Sequence, residues 1–251
     1  MVTIELVSDL ARRAGAITLQ HFMTKLEIIS KADDSPVTIA DRSTEEWLRA
    51  EVGRMFPDDT IVGEEFGTKE GTSGRKWIFD PIDGTKSFIH GVPLYGVMIG
   101  VEQDGEMEAG AICIPPLGEL VAAVRGKGCW WNGRRTHVSA TARLQDALIC
   151  TSDIMHHYEH GKGPGWDALC RRVRLVRTWG DCFGYVMVAT GRADVMLDAV
   201  MSPWDMAALK PILEEAGGRL TDYHGGTSIY SKDSIGSNGV LHDEVLRVVA
   251  G

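Results

Sequence analysis

Residues 77–88 read WIFDPIDGTKSF, and no other stretch constrains the chain as strongly. An apolar run of Trp77, Ile78 and Phe79 delivers Asp80 and Asp83 on either side of Pro81 and Ile82. Two carboxylates that close repel each other, and burial adds a desolvation cost. The fold must supply a cation or leave the pair in water. Pro81 biases Asp80 to an extended conformation and removes a backbone donor, which predicts that the strand ends there. Gly84 permits unusual backbone angles and the close approach of a ligand. Gly84 and Thr85 are placed to open a helix, whose free N–H groups favour a phosphate. Paired carboxylates beside an anion site suit Mg²⁺ held between protein and phosphate. A solvated turn also fits DPID, because Asp, Pro and Gly are common turn residues.

Three further stretches carry candidate ligands. In GEEF, residues 63–66, Glu64 and Glu65 follow a strand, where such pairs are more often surface charges. In SPWDMAA, residues 202–208, Ser202 reads as a helix N-cap, Pro203 as the first helical residue and Asp205 as the capping-box acid. Asp205 therefore also suits a purely structural role, with Trp204 as a packing residue. In PVTIADRSTEE, residues 36–46, Asp41 lies just before a helix and would favour its dipole. His156, His157 and His160 have the residue type of metal ligands, but beside GKGPG they read as an exposed loop.

The rest of the chain shows how these stretches are arranged. Leu6, Leu10, Ala14 and Ile17 recur at helical spacing, and a loop with Asp33, Asp34 and Pro36 follows. A second helix is expected from Ser43, with Glu46 closing a capping box and Trp47, Leu48, Val52 and Met55 facing the core. Residues near 60–140 read as a largely antiparallel sheet with a hairpin at Asp104-Gly105. After about residue 142 strands and helices alternate, which implies α/β layering. Two closely packed halves, residues 1–142 and 143–251, with a cleft between them, are expected.

Composition limits the function classes. The 251 residues are 44% hydrophobic and 24% charged, as in an ordinary soluble protein. A net charge of −9 argues against nucleic acid or an anionic membrane as a main partner, and repels a phosphorylated substrate unless bound cations offset it locally. MVTIELVSDL lacks a basic segment followed by an apolar one, so no signal peptide is expected. The five cysteines show no CxxC spacing and read as reduced packing residues in a cytoplasmic protein.

PVTIAD, GEEFG, WIFDPIDGTKSF and SPWDMAA occur in that order, and the series resembles the inositol monophosphatase-like family of metal-dependent, lithium-sensitive phosphatases. The stretches TWGDC and VATGRADVM are more similar to its histidinol-phosphate phosphatase branch. The resemblance implies a mixed α+β fold, a five-layer αβαβα sandwich with the active site between its halves. It implies that Glu64, Asp80, Asp83, Asp205 and the Ile82 carbonyl hold two or three Mg²⁺ ions, with Asp80 as the bridge. Thr85 paired with Asp41 would orient the attacking water. Asp83, Asp205 and the backbone of Gly84 and Thr85 would meet the substrate, and Arg177, Asp181 and Asp198 would set its identity. Asp181 and Asp198 suit an ammonium or imidazole group, although a helix cap for Asp181 and a strand-end turn for Asp198 remain open. Arg177 equally suits an exposed charge.

The resemblance also implies a homodimer acting on a small phosphorylated metabolite. The leading expectation is a Mg²⁺-dependent phosphomonoesterase for L-histidinol phosphate, in histidine biosynthesis. A broad inositol- or sugar-phosphate phosphatase is the alternative within the same chemistry. A regulatory binding protein on a phosphatase scaffold is the alternative of another class.

Overall fold

The computed structural model describes residues 1–25, 28–30 and 36–250. Asp33 and Asp34 of the expected loop lie outside the described residues. Helix α1 (Ile4–Leu19) is capped by Thr3, which accepts from the Leu6 N–H at 3.2 Å, and buries Val7, Leu10 and Ala14. Strands β1 (Ile29–Ser30) and β2 (Pro36–Val37) form a short antiparallel pair.

Helix α2 (Ile39–Met55) begins before the expected Ser43. Thr38 has the extended backbone a cap needs, and Asp41 accepts its N–H at 2.7 Å to close the capping box. Ser43 lies inside the helix, its hydroxyl bonded back to the Ala40 carbonyl at 3.3 Å. Asp41 is thus a first-turn residue rather than one preceding the helix.

Strands β3 (Thr60–Gly63), β4 (Gly67–Lys69), β5 (Arg75–Asp83), β6 (Gly96–Gln103) and β7 (Glu106–Ile114) belong to one sheet. It is completed by β8 (Glu119–Val124), β9 (Gly128–Trp131) and β10 (Arg134–Arg135), in the order β10-β9-β8-β7-β6-β5-β3-β4. Only the β3–β5 pairing is parallel. The β6–β7 turn has positive φ at Asp104 (52°) and Gly105 (85°), the geometry of a two-residue hairpin.

Strand β5 does not stop at Pro81. Asp80 pairs with Met98 and Asp83 with Gly96, so β5 carries one residue more than β6 between these pairs. A bulge of this kind tolerates the missing proline N–H. It also reverses the alternation. Residues three apart on a regular strand face opposite ways, and the extra residue returns Asp83 to the side of Asp80. Helix α3 (Thr85–Ile89) follows at once.

The second sheet holds β11 (Leu148–Thr151), β12 (Leu175–Arg177), β13 (Val195–Asp198), β14 (Arg219–Thr221) and β15 (Ser234–Ser237), in the order β12-β11-β13-β15-β14. The first three in that order run parallel, and β15 is antiparallel to both neighbours. Between and after them come α4 (Ile154–Glu159), α5 (Gly163–Cys170), α6 (Asp181–Ala189), α7 (Pro203–Glu215) and α8 (His242–Val249).

Period-2 alternation makes the layers. Trp77, Phe79, Val97 and Ile99 face α1 and α2, whereas Ile78, Met98 and Ile112 face α6 and α7. Met196 meets the same central helices from the second sheet, while Val195 and Leu197 face α5 and α8. The order is α1α2, sheet, α6α7, sheet, α5α8: the αβαβα sandwich. Gly100 and Gly110 let α7 lie close, since a Cβ at Gly100 would come within 2.5 Å of Ala207 Cβ. Helix α7 touches strands of both sheets, so the halves share a core. No helix among the described residues is long and apolar enough to cross a membrane.

The MHHYEH stretch is not an exposed loop. It forms α4, and His157 is fully buried, stacked on Trp166 at 4.3 Å with Thr151 and Tyr223 on its two nitrogens. Both ring nitrogens are occupied by hydroxyls, which makes it a core histidine. Burial lowers its pKa to about 4. Among the five thiols, Cys113, Cys129, Cys150 and Cys182 are buried and unpaired.

Candidate active site

The bulge in β5 and the first turn of α7 bring Asp80, Asp83 and Asp205 together, with one oxygen of each inside a 4.8 Å group. Asp80 accepts the Ile82 N–H at 3.0 Å and is 2% exposed. Asp205 accepts the Ser202 N–H at 2.7 Å, so one carboxylate caps α7 and also reaches the cluster. The structural reading of Asp205 is therefore realised, and the same side chain lies within the carboxylate group. Asp83 accepts the Cys182 N–H at the start of α6.

Electrostatics describe an unmet demand for cations. Burial pushes the Asp80 carboxyl well above its usual range, and Glu64, Asp83 and Asp205 raise it further. Burial does the same to Asp83, with Asp181 and Asp205 adding repulsion. Asp205 is pushed up to about 7, first by burial and then by Glu64. Glu64 thus acts on the cluster from the β3–β4 turn. Among the described residues, no Lys or Arg forms an ion pair with Asp80, Asp83 or Asp205. A compact, all-oxygen group of carboxylates fits Mg²⁺ and suits neither a soft metal nor an organic cofactor.

The cluster opens into a cavity of about 390 Å³ that reaches Gly84, Thr85, Asp181 and Asp198. Gly84 adopts the left-handed conformation, φ 83°, as the cap of α3, with Thr85 its first residue. The Thr85 hydroxyl donates to the Ile82 carbonyl at 3.0 Å, and Asp41 accepts from the Thr38 N–H and hydroxyl. These bonds differ from the Thr85–Asp41 pair that the resemblance implies. Asp41 is buried, and burial raises it to about 6 against the opposing Thr38 bonds.

Asp181 is the first residue of α6 and has φ 52°, a conformation that non-glycine residues adopt at a cost. Gly180, not Asp181, is the cap. Asp198 ends β13 at 6% exposure, accepts from Ser152 N–H at 3.1 Å and Tyr185 hydroxyl at 3.0 Å, and is pushed up to about 7 by burial. Arg177 is not brought to the cavity. It is exposed on the edge strand β12, bonds the Val176 carbonyl at 2.7 Å and stacks over Trp179.

Several cavity residues lack a sequence signal of their own. Among the described residues Lys86 is the one Lys or Arg that lines it, and Ser152, Asp153 and Tyr185 line it as well. His156, whose residue type the sequence marks, lines it too. Glu45 is a supporting residue of the same kind. Fully buried in α2, it accepts the Glu65 N–H at 2.7 Å and the Phe66 N–H at 3.2 Å, and so fixes the turn that carries Glu64. A Cβ at Gly63 would overlap its carboxylate.

Clustered carboxylates from a strand and a helix, set beside an open helix start between stacked sheets, have the layout of a hydrolase that uses a cation. The chain belongs to the inositol monophosphatase family, whose model matches residues 2–250. It is 47% identical over 233 residues to a histidinol-phosphatase of Chlorobaculum parvum, covering 92% of this chain and 90% of that one. It is 39% identical to a histidinol-phosphatase of Mycobacterium tuberculosis, over 96% of both. Among solved structures, a Thermotoga maritima IMPase superposes with a TM-score of 0.89 at 31% identity, over 98% of this chain and 96% of that one. An IMPase/NADP phosphatase complexed with Mg²⁺ and phosphate shares the fold, with a TM-score of 0.81 at 20% identity over 97% and 93% of the two chains.

Proposed function

We propose that the protein is a Mg²⁺-dependent phosphomonoesterase that hydrolyses L-histidinol phosphate to L-histidinol and phosphate. The observation that carries this reading is the Asp80–Asp83–Asp205 group opening into a cavity that Asp181 and Asp198 also line. The aspartate group suits a phosphate held through a cation, and Asp181 and Asp198 suit a cationic substituent close to it. Similarity to histidinol-phosphatases supports the same substrate.

Glu64, Asp80, Asp83, Asp205 and the Ile82 carbonyl would hold the ions. When bound, Mg²⁺ supplies neutralisation of the ester's charge and eases deprotonation of the attacking water. The chain's own part is placement. Backbone N–H groups at Gly84 and Thr85 receive phosphate oxygens. The Thr85 hydroxyl, now turned to Ile82, has the water as its second partner. Asp41 supports that end of the site. Phosphoryl transfer needs charge neutralisation and in-line positioning more than covalent help, so no side-chain nucleophile is required. The product is small, and the proposed setting is a cytoplasmic homodimer inhibited by lithium.

The test is phosphate release with Mg²⁺ from L-histidinol phosphate and from inositol 1-phosphate. Faster turnover of histidinol phosphate is expected. Equal or reversed preference overturns the substrate and leaves the inositol-phosphate reading.

A further inference from the structure

Asp181 and Asp198, which both line the cavity, are not held independently. Ser152, the residue after β11, joins them. Its N–H donates to Asp198 Oδ1 at 3.1 Å, and its hydroxyl accepts the Asp181 N–H at 2.7 Å. One residue therefore fixes the side chain of Asp198 and the backbone of Asp181. The contact depends on Gly180, where a Cβ would meet the Ser152 backbone and hydroxyl. The Asp181 bond also helps maintain its costly positive φ, which directs its carboxylate at Gly84. There an added Cβ would stand 2.8 Å from Asp181 Oδ2.

Tyr185 holds the other oxygen. Its hydroxyl donates to Asp198 Oδ2 at 3.0 Å. A phenol has one proton, so its bond with the Ser234 hydroxyl has Ser234 as donor. The chain Ser234–Tyr185–Asp198–Ser152–Asp181 crosses β15, α6, β13 and the end of β11. Tyr185 and Asp198 are 1% and 6% exposed, which makes an unsatisfied or misdirected group costly. Such an arrangement is more than packing requires, because a phenylalanine and an apolar residue would fill the same space without desolvating a carboxylate.

We propose that Ser152 and Tyr185 are positioning residues that set Asp181 and Asp198 as one two-carboxylate acceptor for the ammonium group of an amino-alcohol phosphate. They thereby make the enzyme select cationic over neutral esters. The proposal rests on the substrate reading above. Ammonium presents three donors on a compact charge, which two fixed carboxylates lining one cavity can share. A neutral ester brings no positive charge to these two carboxylates, which already hold Ser152, Tyr185 and Ser87 as hydrogen-bond donors, and that difference in charge is the source of discrimination.

The experiment compares L-histidinol phosphate with 3-(imidazol-4-yl)propyl phosphate, the same ester without its amine, on the Mg²⁺-loaded enzyme. The readout is the ratio of their kcat/KM values. Tyr185→Phe and Ser152→Ala are each expected to lower the ratio about tenfold, carried by KM of the amine substrate. Adding Tyr185→Phe to Asp198→Asn should lower it no further, since both act through one carboxylate. A purely structural role would depress both substrates together and keep the ratio. That result in both variants overturns the proposal. If Asp198→Asn and Asp181→Asn also leave the ratio intact, the amine-binding reading itself fails. If those two lower it while Tyr185→Phe and Ser152→Ala do not, only the positioning roles fail.

Discussion

Asp80 is where the cost of the site is concentrated. It is nearly inaccessible and has three acidic neighbours, so its charge is opposed by burial before any neighbour acts. Asp80→Asn should cut turnover by more than about 100-fold, a loss of the size seen when an electrostatic anchor is removed. The metal-free variant should nevertheless be more stable than the metal-free wild type, by roughly 1–3 kcal/mol, because a desolvated charge is gone. Phosphate release and thermal melting in EDTA check the two halves. Wild-type activity would refute the ligand assignment. A second consequence follows from Asp205, raised to about 7. Below that pH the metal-free cluster retains protons, which a cation must displace. Mg²⁺ affinity should therefore rise with pH through 7, with more protons released per ion at pH 6 than at pH 8. Calorimetry in buffers of different ionisation enthalpy measures this directly. The four carboxylates were readable in the sequence because each sits in a motif with its own local logic. Ser152 and Tyr185 were not, because their importance lies in partners 29 and 13 residues away, and no local pattern records such bonds.

Elements place these residues by irregularities as much as by regular geometry. Strand β5 brings Asp80 and Asp83 to one face through a bulge, and α2 supports the Glu64 turn through Glu45. Proline in DPID pointed to a strand end, but whether a chain stops or bulges depends on the partner strand, here β6. The start of α2 was similarly ambiguous, since Thr38–Asp41 and Ser43–Glu46 spell the same cap one after the other. Tertiary contact decides it. The helix must begin early enough to bury Ala40, Asp41 and Glu45. Glu45→Ala tests the coupling between that helix and the metal turn. It removes the acceptor of two backbone N–H groups and of Arg49 Nε at 2.7 Å. Stability should fall by about 2–4 kcal/mol, as expected when one partner of a buried charge network is lost. Mg²⁺ affinity should fall by about 10-fold or more, because the turn that holds Glu64 loosens, in the range set by outer-shell residues. Urea unfolding and Mg²⁺ titration separate the two effects. An unchanged affinity would mean that Glu64 is held by other contacts.

An antiparallel sheet before residue 142 and α/β alternation after it were legible in the sequence, and the five-layer order came with the family resemblance, but the degree to which the halves depend on each other was not legible. The weak strand signals of RLT and SIGS, residues 219–221 and 234–237, say nothing of the antiparallel pair that completes the second sheet. Nor does the sequence of α7 announce that one helix serves two sheets. Its Ala207 packs on Gly100 of the first, and Leu213 lies against Gly236 of the second. Asp205 lies in the first turn of the same helix, so the proposed metal site stands where the two cores meet. This geometry argues that neither half is stable alone. Tryptophans occur in both halves and helices in every α layer, so fluorescence and far-UV circular dichroism monitor the whole chain. Their urea transitions should coincide. Mg²⁺ at about 100 times its dissociation constant should shift both together by roughly 2.7 kcal/mol, since it binds only the folded cluster. In Asp80→Asn that shift should vanish while the transitions still coincide. Two separated transitions, with Mg²⁺ moving one, would show instead that the halves fold independently and that α7 joins them only weakly.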